Sequence, residues 1–486
     1  METFLSILGT AALIVAVVLV FNLMIFVHEL GHFLAARWRG LYVDRFQIWF
    51  GPMLWKKTIN GVRWGIGCIP AGGFVSLPQL APMEAIEGKL SPDAPPDSLK
   101  PARPLDKIIV AAAGPLFSFL LAIVFAVAVW AAGKPATEYG STVVGWVPPD
   151  SPAAQAGLRP GDKILAVDGR PVAKWVGNME GVLELIALSE GETVAFLVER
   201  PSAAGAPERL TIHSSFTHKE TDWYQRSALR SVGAILPEMP AVVGTVAPHS
   251  PADRAGLRPG DLVLALNGEP LRHFGLVSRA SAEGRTVALT VASADGARRE
   301  LSLTPRMPDN WTRDMKGAAP LLGITWAPVR MSAGYEHPSP WAQVASSLSW
   351  MGATFEKLFS PESDVGVEHL SGPVGIGSYL YSMLSTADGW RLALWFAVIL
   401  NVNLAVLNIL PLPVMDGGHV VLGLFEAVFR RPVNERALGY IQTAFVLALL
   451  GLFLFITLKD VGDLLSGGRA EEPGALPAPV FSPADA

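Results

Sequence analysis

The chain has 486 residues, of which 50% are hydrophobic and only 17% charged, with 47 Gly, one Cys and a mean hydropathy of +0.36. Soluble globular proteins carry about 25% charged residues, so the composition points to a membrane protein, and a single Cys excludes an internal disulfide and a four-thiolate zinc site. A formal charge of -5 offers no basic footprint for nucleic acid, while the length leaves room for two or more domains beside a membrane part.

The first element is an uninterrupted charge-free run over residues 3–27. A hydrocarbon core about 30 Å thick needs roughly 20 helical residues, so this run is long enough to span. It has no basic n-region, is longer than an ordinary h-region and is not followed by a small-residue cleavage site, which argues against a signal peptide. It leads directly into His28-Glu29-Leu30-Gly31-His32. Residues four apart share a helix face, so His28 and His32 can turn both imidazoles to one metal ion with Glu29 beside them. That is the logic of a zinc hydrolase, in which neutral imidazoles bind the ion and a carboxylate takes a proton from water. The plainer alternative is that these side chains merely cap the helix at the interface. Ionisable groups at the end of a span are costly, which favours the functional reading.

Residues 39–107 form a loop with a Pro-rich stretch at 79–104, and a second spanning run covers residues 108–133. The segment that follows, roughly 134–391, contains an internal repeat: residues 151–171 and 250–270 match at 14 of 21 positions with an offset of 99 residues. Each copy reads as a short helix capped by Ser151 or Ser250 with Pro at its first position, ended by Gly157 or Gly256, then a Pro-Gly-Asp turn, a strand and an Asp-Gly or Asn-Gly turn. Farther on, residues 339–360 carry apolar side chains at helical spacing behind a Ser-Pro start, predicting an amphipathic helix that lies on the membrane surface or packs on a neighbouring domain.

A third run spans residues 392–415 and a fourth spans 437–458. Ten Lys and Arg lie between the first and second runs, and Arg430, Arg431 and Arg436 lie between the third and fourth. The positive-inside bias places those two loops in the cytoplasm, and both termini and the repeat segment on the opposite, periplasmic side. The tail over 467–486, rich in Pro and Ala, is expected to be disordered.

A two-His site needs a third protein ligand. At the cytoplasmic end of the third run, Pro411 and Pro413 break the helix and present Asp416 at the depth of His28 and His32. Asp416 is the preferred third ligand, and His419 competes on chemistry alone. Asn403 and Asn408, polar within an apolar helix, are expected to face the protein interior or to bridge helices.

The repeat pattern S-P-A-x-x-A-G-L-x-x-G-D resembles the circularly permuted PDZ domain of bacteria. HExxH after the first run, N-x-x-P-x-P-x-x-D-G at the third, and PDZ copies between the second and third resemble the site-2 protease family of intramembrane zinc metalloproteases, closest to its bacterial branch with tandem PDZ domains. Gly114-Pro115, the stretches at 50–52 and 69–75, and residues 370–376 agree with it. The resemblance implies a polytopic α-helical membrane protein with four transmembrane helices, a membrane-reentrant β-loop, and two α+β PDZ domains inserted between helices 2 and 3. Its parts fall at 1–38 (first helix), 39–107 (cytoplasmic loop with the β-loop), 108–133, 134–220 and 235–307 (PDZ domains), 308–390, 391–416, 437–459 and 467–486. It implies that His28, His32 and Asp416 bind Zn2+, that Glu29 is the catalytic base, and that Asn408, with Asn403, contacts the substrate backbone or the developing oxyanion. It further implies a place in the bacterial inner membrane with the active site near the cytoplasmic face. Substrates would be single-span proteins such as pre-trimmed anti-sigma factors, and remnant signal peptides. The PDZ domains would hold peptide ligands or exclude bulky substrates. Two departures stand out: Met415 where the family has Leu, a volume-conserving change, and Ser118 where it has Asn, which puts a local polar contact in doubt. A zinc-free PDZ adaptor anchored by the same helices is the alternative, against which the complete set His28, Glu29, His32 and Asp416 argues.

Overall fold

A computed structural model describes residues 2–80, 99, 102–136, 140–177, 180–202, 205–217, 224–226, 229–293, 295–312, 314–315, 317–327, 334–431, 433–467 and 476–483. Most of the Pro-rich loop anticipated at 79–104 lies outside these residues. The chain divides into two compact units. One holds Met1–Pro135, Tyr335–Thr354 and Ser371–Asp460, and the other holds Ala136–Gly334, Phe355–Leu370 and Val461–Ala486.

The first unit is built on helices α1 (Glu2–Trp38), α2 (Pro104–Ala132), α3 (Pro340–Phe359), α4 (Pro373–Leu384), α5 (Gly389–Ile409), α6 (Asp416–Phe429) and α7 (Glu435–Gly467), the last residues of α3 and α7 belonging to the second unit. Four of them contain stretches long and apolar enough to cross a membrane: Leu8–Trp38, Pro104–Ala132, Gly389–Ile409 and Arg436–Leu465. Their large apolar side chains point outward, with Leu19, Val124 and Leu447 between 62% and 63% exposed. Water would not tolerate such a surface, whereas lipid requires it. Helix α2 sits among its neighbours, packing on α1, α5 and α6. Its small residues Ala122 and Ala126 are fully buried in a cluster with Val129, Val344, Val398 and Val402, as expected where helices approach without a hydrophobic drive between them.

Strands β1 (Arg45–Ile59) and β2 (Val62–Ser76) form a hairpin folded back on itself: residues 55–59 pair antiparallel with 62–66, while residues 45–48 pair antiparallel with 73–76 on one side and lie alongside 63–66 on the other. The register is irregular from Arg45 to Trp55. There Trp49 adopts a left-handed φ of 68°, and the Gln47 side-chain amide donates to the carbonyls of Trp49 (2.9 Å) and Gly51 (2.8 Å). The Trp49 indole donates to Asn22 Oδ1 of α1 at 2.7 Å, tying the bulge to the first spanning helix.

The third apolar run, bounded at 391–416, breaks at its prolines as expected. Helix α5 stops at Ile409, residues 410–415 turn, and Asp416 opens the separate helix α6. The prolines end the first helix, and Gly417 and Gly418 permit the tight return: a Cβ on either would stand 2.1 Å from the Ile409 or Leu412 carbonyl oxygen. Helices α4 and α6 were not anticipated, whereas α3 matches the amphipathic pattern.

The second unit contains both copies of the repeat. The first copy contributes a sheet of Arg170–Pro171, Lys163–Val167, Thr193–Arg200 and Glu208–Ser215, in that order. The second aligns Arg298–Leu303, Val287–Ala292, Leu262–Leu266, Ala241–Val246 and Ile324–Trp326, with the last as an edge strand. Each short helix starts on its serine, as the repeat suggests: Ser151 Oγ accepts from the Ala154 amide and Ser250 Oγ from the Asp253 amide, both at 3.2 Å. Trp175 and Phe196 fill the core of the first copy, and Leu289 and Leu303 that of the second.

The tail departs from expectation. Helix α7 continues to Gly467, and residues 476–483 lie against the second repeat domain with Phe481 only 4% exposed. Composition averaged over a Pro/Ala segment conceals a single aromatic anchor.

Candidate active site

Helix α1 carries His28, Glu29 and His32 on adjoining positions of its last turns, as the i, i+4 spacing dictates. Helix α6 brings Asp416 to the same point from the other end of the sequence. The ligand atoms of His28, His32 and Asp416 all lie within 4.8 Å of one another. His28 Nε2 is 3.2 Å from Asp416 Oδ2, His32 Nε2 is 3.4 Å from Asp416 Oδ1, and the two Nε2 atoms are 3.3 Å apart.

The outer face of each imidazole decides what the inner face can do. His32 Nδ1 lies 2.8 Å from the Val110 carbonyl oxygen, which only accepts, so Nδ1 carries the proton and Nε2 keeps its lone pair. His28 Nδ1 lies 3.0 Å from Ser118 Oγ, a hydroxyl able to accept the same kind of bond. Both partners come from α2. With the His32 proton outward, its Nε2 lone pair, His28 Nε2 and a carboxylate converge, and Asp416 Oδ2, though buried, has no hydrogen-bond donor among the described residues. Such a donor set fits a cation.

Helix α2 approaches closely enough to supply these partners because both surfaces are bare at the crossing. A Cβ on Gly31 would lie 2.4 Å from the Ala113 carbonyl oxygen, and one on Gly114 would lie 2.2 Å from His32 Nε2. The sequence flagged Gly114-Pro115 without showing its purpose, which depends on the partner helix. Pro115 is accommodated inside α2.

The cluster opens into a cavity of about 1050 Å³. Glu29, Asn408 and His419 line it, as do Phe50, Gly73 and Phe74 of the hairpin. A Cβ on Gly73 would stand 3.2 Å from Glu29 Cγ, so the hairpin backbone passes beside the carboxylate. Asn403 is not among the lining residues, and its Oδ1 is buried without a hydrogen-bond partner among the described residues. His419 reaches the cavity yet stands outside the three-ligand group. At one rim Lys107 Nζ bridges to both carboxylate oxygens of Glu426, at 2.9 and 3.1 Å, joining α2 to α6.

Two helices that contribute a pair of histidines and an aspartate to one buried point, with a glutamate adjoining, make a metallohydrolase arrangement. The profile of peptidase family M50 matches residues 16–452. This chain belongs to peptidase family M50. A Pasteurella multocida protein named as a zinc metalloprotease is 31% identical over 452 residues, covering 90% of this chain and 96% of the relative. A similarly named protein of Neisseria meningitidis serogroup A is 31% identical over 459 residues, covering 91% and 97%. The regulator of sigma E protease of Haemophilus influenzae is 28% identical over 471 residues, covering 94% and 99%. As a member of family M50, the site-2 protease family, the chain is a metalloendopeptidase, and its four apolar helices make it a membrane protein.

Proposed function

We propose that this M50 peptidase is an intramembrane zinc protease, with His28, His32 and Asp416 as the metal ligands and Glu29 as the catalytic base. The observation that carries the reading is the convergence of three potential ligand groups beside a glutamate, at the end of a spanning helix and inside a cavity. The naming of several relatives as zinc metalloproteases supports zinc as the ion. Zinc, when bound, supplies Lewis-acid activation of water and of the scissile carbonyl. The Val110 carbonyl holds the His32 imidazole in the required tautomer, and Ser118 Oγ orients the His28 ring through Nδ1. Glu29 takes a proton from the attacking water and returns it to the leaving amine. Asn408, on the cavity wall, donates to the carbonyl oxygen as negative charge develops there; Asn403, lying off the cavity, takes no part in that contact.

A peptide bond within a spanning helix is shielded by its own hydrogen bonds, so hydrolysis requires local unwinding. The β1–β2 hairpin, entering the membrane, offers a strand edge to the unwound segment next to Glu29. The Lys and Arg between the first and second and between the third and fourth spans support a site near the cytoplasmic face, with both termini and the repeat domains in the periplasm. The repeat domains are PDZ-type modules that admit single-span stubs and exclude intact parents. Relatives named for sigma-E regulation support a pre-trimmed anti-sigma factor as substrate in the bacterial inner membrane. Remnant signal peptides form a second class.

The test replaces Glu29 with Gln and follows a single-span stub in liposomes. Cleavage should fall by several orders of magnitude with zinc content retained; unchanged cleavage by zinc-loaded Glu29→Gln protein would remove Glu29 as the base.

A further inference from the structure

The C-terminal segment past α7 has no part in the chemistry above, yet it makes a dense set of contacts with the second repeat domain. The Asp309 amide donates to the Val480 carbonyl at 2.8 Å, and the Val480 amide donates to Asn310 Oδ1 at 3.0 Å. Asn310 Nδ2 donates to the Ala478 carbonyl at 2.8 Å, the Trp311 indole to the Pro477 carbonyl at 2.7 Å, and the Ser482 amide to Asp309 Oδ2 at 2.5 Å. Ala478, Val480 and Ser482 are two apart, so an extended peptide turns their polar groups to one side. Successive side chains of an extended peptide point to opposite faces, so those of Val480 and Phe481 part. The Phe481 ring is buried beside Gly323 and Ser250, while neighbouring Val480 is 54% exposed.

The receiving surface is built for this. Gly323 has a φ of +79°, and a Cβ there would meet Ser250 Cβ at 2.2 Å, so the position admits no side chain and leaves the ring a bed. Asp309 is paired with Arg306. That pairing, followed by the amide and hydroxyl of Ser482, holds the carboxyl down at about 2, so it stays an acceptor throughout the ordinary pH range. Among the described residues, the tail's hydrogen bonds run to residues 309–311 and to Arg254, not to the edge strand Ile324–Trp326.

We propose that the loop at 306–311, with Gly323 and Ser250, is a peptide-docking site of the second repeat domain. Its ligand class is an extended, proline-flanked peptide with one aromatic side chain, and its resident occupant is residues 477–482 of the same chain. Docking ties the second repeat domain to the end of α7. Few residues separate Gly467 from Leu476, so the tail is present at an effective concentration in the millimolar range, and a peptide of weak intrinsic affinity stays docked.

The experiment uses a fluorescent peptide of residues 475–486, the full chain, and a chain truncated after Gly474, both in detergent. The peptide should bind the truncated chain saturably, bind the full chain at least ten-fold more weakly, and lose at least ten-fold affinity with Phe481→Ala. Equal binding to the two chains, or no saturable binding to the truncated one, overturns the proposal. Independently of truncation, Phe481→Ala in the full chain should speed amide exchange at residues 309–311 at least ten-fold. Unchanged exchange there overturns it equally.

Discussion

The imidazole of His32 rests against Gly114 so closely that a Cβ at that position would stand 2.2 Å from Nε2, the atom directed at Asp416. A side chain there displaces the ring or forces α2 away, and either movement also disturbs the Nδ1 bond to Val110. Gly114→Ala should therefore lower zinc occupancy of purified protein and reduce stub cleavage by roughly 10- to 100-fold, the range seen when the support of a metal ligand is lost. Circular dichroism should show unchanged helix content. A variant with full zinc content and a normal rate would mean that the crossing of α1 and α2 does not set the ring's position.

Ser118 poses a subtler case. It is fully buried and its hydroxyl lies 3.0 Å from His28 Nδ1. The resemblance to site-2 proteases left doubt here because Asn is usual at the corresponding place; the structure shows a serine reaching the His28 ring on its own. Ser118→Ala removes the outer partner and leaves the His28 ring without the hydrogen bond that orients it. Zinc affinity, read by competition with a chelator, should weaken by roughly 10-fold while the melting temperature moves little. Unchanged chelator resistance would assign Ser118 to packing alone.

These two residues show where sequence reasoning reaches its limit. His28, Glu29 and His32 were legible because their chemistry lies within one helical turn and a half. Asp416 was legible because the prolines before it mark a broken helix. Spanning segments announce themselves by length and apolarity, and the repeat by its own duplication. The purpose of Gly31 and Gly114 depends on an interhelical distance, and no local pattern encodes it. Ser118 as a partner of His28 depends on a rotation of α2 about its axis. Helix α6 was hidden because the prolines mark where α5 ends, not that a new helix begins at Asp416. The docked tail was hidden for the opposite reason, one anchor diluted among prolines and alanines.

The repeat motif contains an aspartate whose partner was equally invisible. Asp162 and Asp261 each accept from a backbone amide three residues earlier, Arg159 or Arg258, at 2.9 Å. Each also meets an arginine from a later strand, Arg200 or Arg299. Arg200 grips Asp162 with two bonds of 2.7 Å, while Arg299 is described with one bond of 2.7 Å to Asp261. Asp162→Ala and Asp261→Ala should each destabilise their own domain by about 1–3 kcal/mol, with the larger loss at Asp162. Amide exchange of the strands in the full chain separates the two domains. A larger loss at Asp261 would contradict the two-bond argument.

Asp460, near the end of α7, is only 1% exposed, and its carboxylate accepts from the Gly375 amide at 2.7 Å and more loosely from the Gly372 amide at 3.4 Å. These amides belong to the first turn of α4, whose own carbonyls cannot satisfy them. The glycines of the Leu370–Ile376 stretch gain a reason here: a Cβ on Gly372 or Gly375 would stand 2.8 or 2.6 Å from an Asp460 carboxylate oxygen. Asp460→Ala should cost about 1–3 kcal/mol by stranding buried donors. Asp460→Asn should cost less than Ala, because its carbonyl still accepts one bond, though a neutral acceptor is about half as strong as a charged one. Thermal unfolding in detergent should therefore rank wild type above Asn and Asn above Ala. If Asn melts no higher than Ala, the carboxylate does not act on α4 through these amides.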